Sequence, residues 1–171
     1  MTYLRNQERM VERTIFDALK ASLTTLGWIG TAPFPFGATV EVTMLDQPPT
    51  LEAAVAPNTV ALTIGHIGDD VEGELGGGLY YQQHTVFVDV WGENVGIAKA
   101  LSTDIRATIA GNLSGTSRYL VVNDYSQNPV VASNVILEFQ DVTLEHLTGT
   151  DRPNWSVVKA TAEVQWIGIG V

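Results

Sequence analysis

The sequence predicts an α+β domain: two helices packed on one face of a mostly antiparallel or mixed β-sheet, with a long β-hairpin. Three observations carry that expectation. Apolar residues recur at steps of three and four in two stretches only, one near the N-terminus and one in mid-chain. Five or six other segments alternate apolar and polar residues, the period of a half-buried strand. The order is helix, two or three strands, helix, then three strands, without the regular βα alternation of a parallel sheet. With 171 residues, no internal repeat and no linker, the chain reads as a single domain over 1–171.

In the first helix Leu4, Val11, Ile15, Leu19, Leu23 and Leu26 share a face. Arg5, Glu8, Arg9 and Glu12 lie opposite, spaced for pairing between adjacent turns. Gly27 is placed to end it as the left-handed residue. Residues 28–37, WIGTAPFPFG, are irregular, and their aromatic rings are expected to fold back over the core. Residues 39–45 and 60–67 read as strands, separated by a loop carrying Pro48, Pro49 and Pro57. Residues 68–78, GDDVEGELGGG, hold four carboxylates, five glycines and no basic residue. They are expected to form an acidic, flexible hairpin tip before a long strand over 79–91. In that strand Val86, Val88 and Val90 point one way, and Phe87, Asp89 and Trp91 the other.

Asn94 caps the second helix, in which Ile97, Leu101, Ile105 and Ile109 make a ridge at steps of four, and Gly111 is expected to terminate it. Strands follow at 119–125, at 130–147 (one long strand or a pair) and at 157–167. Within 130–147 the inward set moves from Val135, Leu137 and Phe139 to Val142 and Leu144, which predicts a bulge near Gln140. Residues 148–156, TGTDRPNWS, read as a polar turn, with Arg152 and Trp155 as candidate interface anchors, although Trp155 could equally fold back on its own sheet.

Composition excludes several functions. Nine Lys and Arg stand against 19 Asp and Glu, a formal net charge of -10. Four of the nine basic residues fall within the first twenty positions, so no basic groove is left for nucleic acid. Without cysteine there is no disulfide framework, thiol catalysis or cysteine zinc site. No apolar run approaches the roughly 20 residues of a membrane-spanning helix, and no signal peptide is expected, which points to synthesis in a cytoplasm.

Chemistry finds little foothold. If residue 66 lies opposite 79 in the hairpin, His66 and His84 are too far apart for one metal ion. The acidic loop lacks the EF-hand spacing, so weak Ca²⁺ association at Asp69, Asp70, Glu72 or Glu74 is the lesser alternative to solvated charge. No GxSxG elbow is present, and Gly76-Gly77-Gly78 is not followed by the Lys and Ser/Thr of a phosphate loop. His146 has only Glu145 beside it and no support as a base. No cofactor, metal or catalytic residue is therefore expected, and the chain is read as a non-enzyme.

The N-terminal RMVERTIFDALKASL, the strand YYQQHTVFVDVWG leading into IAKALSTDIRATIAG, and the closing VVKATAEVQWIG resemble the tail terminator proteins of long-tailed, siphovirus-like bacteriophages. The resemblance spans nearly the whole chain in architecture and texture; the acidic loop departs from the shortest members. It implies a virion structural protein at the head–tail junction, assembled in the bacterial cytoplasm. Six copies would form a ring that caps the tail tube, stops its polymerisation and presents the surface to which the head connector or stopper attaches. DNA would pass through without specific binding, and Asp69, Asp70, Glu72 and Glu74 are candidates to line the lumen. Another neck or tail protein, such as a head-completion adaptor or tube subunit, is the first alternative. A small-ligand-binding α+β domain is the second, and it needs convergent polar groups in an apolar pocket.

Overall fold

The structure, a computed structural model, describes residues 7–29, 41–45, 59–67, 73–75, 79–92, 95–111, 113, 119–147 and 155–166. Among the described residues, two helices, α1 (Gln7–Thr25) and α2 (Val95–Ala110), accompany seven strands. The strands are β1 (Glu41–Leu45), β2 (Thr59–Ile67), β3 (Gly73–Leu75), β4 (Leu79–Gly92), β5 (Leu120–Asp124), β6 (Val131–Leu147) and β7 (Trp155–Trp166). They form one sheet in the order β1-β2-β4-β7-β6-β5, with β3 pairing separately to β4. The β1–β2 pair is parallel and every other pair antiparallel, so the α+β expectation of a mixed sheet with two helices holds.

One core joins both helices to the sheet. Val86, Val88 and Val90 of β4 meet Val158, Ala160 and Ala162 of β7, Leu137 and Phe139 of β6, and Val122 of β5. Leu101, Ile105 and Ile109 of α2 press on that surface, as the ridge at steps of four predicts. Helix α2 lies over β4, β7 and β6, the middle of the sheet. The small side chains of Ala160 and Ala162, both buried, admit it there. Helix α1 touches β5 at one edge of the sheet and β2 next to the other edge. The sheet is therefore curled, and α1 closes the gap between its ends.

Contacts of α1 with the β5 edge are directional. The buried Thr14 hydroxyl accepts the Asn123 backbone N–H at 3.0 Å, and the Tyr125 hydroxyl donates to Asp17 at 2.8 Å. An edge strand exposes unpaired N–H groups, and α1 satisfies one of them here. The helix ends as expected at Gly27, φ 81°, with Trp28 N–H bonding Leu23 C=O and Gly27 N–H bonding Thr24 C=O. That turn folds Trp28 fully under the surface, where its Nε1–H donates to Asp104 of α2 at 2.7 Å.

The bulge is found where the apolar pattern shifts. Pairing of β6 with β7 changes register between Gln140 and Thr143, and Asp141 takes φ 51°. Helix α2 ends at Ala110, directly before Gly111 as expected. Other details differ. Gly111 still bonds Ala107 C=O in helical fashion, and the left-handed residue of that turn is Leu113, φ 55°. Its N–H returns to Thr108 C=O while its side chain joins the core, so burial holds a conformation that glycine was expected to supply. The β2–β4 register places His66 opposite Val86, not residue 79. His84 is then two residues from the partner of His66 rather than five from His66 along the sheet. The cause is β3, a short strand inside the stretch expected to be loop, which pairs with the start of β4 and displaces β2 toward its far end.

Candidate functional site

Because strand side chains alternate, the sheet surface opposite the helices carries the other half of β4, β6 and β7. Across these strands the register sets Gln83 beside Glu163 and Glu138; Thr85 beside Thr161 and Gln140; Phe87 beside Lys159 and Thr143; and Asp89 beside Val157 and Glu145. Among the described residues, neither helix packs on this face. Gln83, Phe87, Asp89, Val157, Glu163 and Glu138 are half-buried, whereas Gln140, Glu145 and Lys159 are exposed.

Two carboxylates, Glu138 and Glu163, stand directly opposite one another. Like charges directly opposite weaken a strand pair unless neighbouring groups offset them. Gln83 Nε2 donates to Glu163 at 3.4 Å, and Lys159 Nζ lies 5.7 Å from the Phe87 ring centroid. The result is a broad sheet surface of amides, carboxylates and a few apolar groups around one cation among the described residues, Lys159.

Charge is unevenly divided between the two layers. The seven strands hold eight Asp and Glu against Lys159 alone, whereas the two helices hold five basic residues against four acidic. Both cations of α2, Lys99 and Arg106, are exposed, while its one acid, Asp104, is half-buried and bound to Trp28. Ionisation is altered elsewhere. Side-chain and backbone hydrogen bonds from Ser126 hold the Asp124 carboxyl below its ordinary range. Burial, reinforced by Asp17, pushes the Tyr125 hydroxyl up.

Of the residues singled out from the sequence, Asp69, Asp70, Glu72 and Arg152 lie outside the described residues. Glu74 belongs to β3 and pairs with Tyr80, so its position is strand rather than loop tip. Trp155 opens β7, paired with Trp91 and Leu147, instead of standing in the polar turn. The reason is that β7 begins two residues earlier than its alternation indicates, continuing its ladders with β4 and β6 to their ends.

One polar pair went unforeseen. His146 Nδ1 lies 2.8 Å from Ser156 Oγ, the two being opposite residues of β6 and β7. A serine hydroxyl on an imidazole is the pairing used to activate a nucleophile. Here Ser156 is only 3% exposed, so its oxygen is out of reach of a substrate and the pair fastens the ends of two strands. No signal local in the sequence could have found it, because it depends on a register ten residues apart. Among the described residues, no group of three or more His, Asp or Glu converges as a metal site. No helix of the described residues is long and apolar enough to cross a membrane. No family model matches the chain, and no curated protein matches it.

Proposed function

We propose that this protein is a structural component of a phage tail: a ring, with six copies as the expected number, that caps the tail tube, halts its growth and presents the head-attachment surface. The sheet face away from the helices carries this reading. It is broad, spans at least three strands, and mixes half-buried Phe87 and Val157 with charged and amide groups. Such a surface suits contact with another protein; a small ligand needs a concavity that encloses most of it. Ring contacts of this kind are heterologous, each copy offering one surface to the next and a different one to the last. The acidity of the strands also suits a structure past which DNA slides, since phosphate finds few cations to hold it. The work is mechanical and requires no catalysis.

The experiment is native mass in solution followed by negative-stain imaging with purified tail tubes. A closed ring that binds tube ends and blocks further polymerisation is the expected result. Spontaneous growth into long tubes identifies a tube subunit instead, and a monomer that never binds tube ends overturns the proposal.

A further inference from the structure

We draw no further inference here: the strongest candidate, the exposed apolar side chains of Tyr119, Val121, Val130 and Val131 on and beside strands β5 and β6 at one edge of the sheet, carries nothing because nothing in the structure shows what covers them.

Discussion

Helices α1 and α2 enter the same core but are held in different ways. Helix α2 lies over the centre of the sheet, where the strands have neighbours on both sides, and it is fixed mainly by apolar burial of Leu101, Ile105 and Ile109, with one hydrogen bond from Arg106 to the Val142 carbonyl at the bulge. Helix α1 reaches the sheet edge at β5, where strand pairing has run out, and adds the Thr14–Asn123 and Asp17–Tyr125 hydrogen bonds to its burial. The difference follows from position: the middle of a sheet asks chiefly for apolar cover, while its edge also asks for polar partners.

Breaking the central attachment is expected to have the largest effect. Leu101→Ala removes a side chain with no exposure and should cost about 2–5 kcal/mol in urea unfolding, depending on how far α2 settles into the cavity. Thr14→Val keeps the shape of the edge attachment and deletes its acceptor, leaving the Asn123 N–H unsatisfied. A loss of about 1–3 kcal/mol is expected, with amide exchange at Asn123 accelerating more than exchange in β4. If Thr14→Val proves as costly as Leu101→Ala, the contrast between the helices fails. Near the other end of α2, Arg106 Nε donates to Val142 C=O beside the bulge. Asp141→Gly relieves a left-handed backbone there and should stabilise by about 0.5–1 kcal/mol, read as a higher melting temperature.

The smallest effect is confined to acid. Asp124 has a native pKa held below its ordinary value by Ser126, so the native state takes up its proton less readily than the unfolded chain. Its stabilisation is complete above about pH 4 and declines as pH falls through the native pKa. Asp124→Asn should flatten the fall in denaturation midpoint over that acid window and leave the fall due to other carboxylates.

Much of the fold was legible because its signals are local. The alternation of 86–90 and the spacing of Leu101, Ile105 and Ile109 state directly which side chains face inward, and the step from Phe139 to Val142 marks the bulge. Pairing is different. The parallel β1–β2 partnership and the His66–Val86 register depend on which segments meet, and three residues between glycines, Gly73–Leu75, carry too little pattern to be seen as a strand. The acidic sheet face away from the helices was hidden for the same reason. Glu138 and Glu163 are 25 positions apart and become neighbours only through the β6–β7 register. The acidic run at 69–74 is dense in charge along the chain, whereas the charge that faces one surface is gathered from three strands.

The hydrogen bond between Thr14 and Asn123 joins residues 109 positions apart. A ribosome adding about 5–20 residues per second therefore releases α1 several seconds before its edge strand exists. During that interval Val11, Ile15, Leu19 and Leu23 form an amphipathic stripe without the strand it will close against. The nascent chain carries its clasp first and its catch late, so the apolar stripe of the first helix stays open to other partners during synthesis.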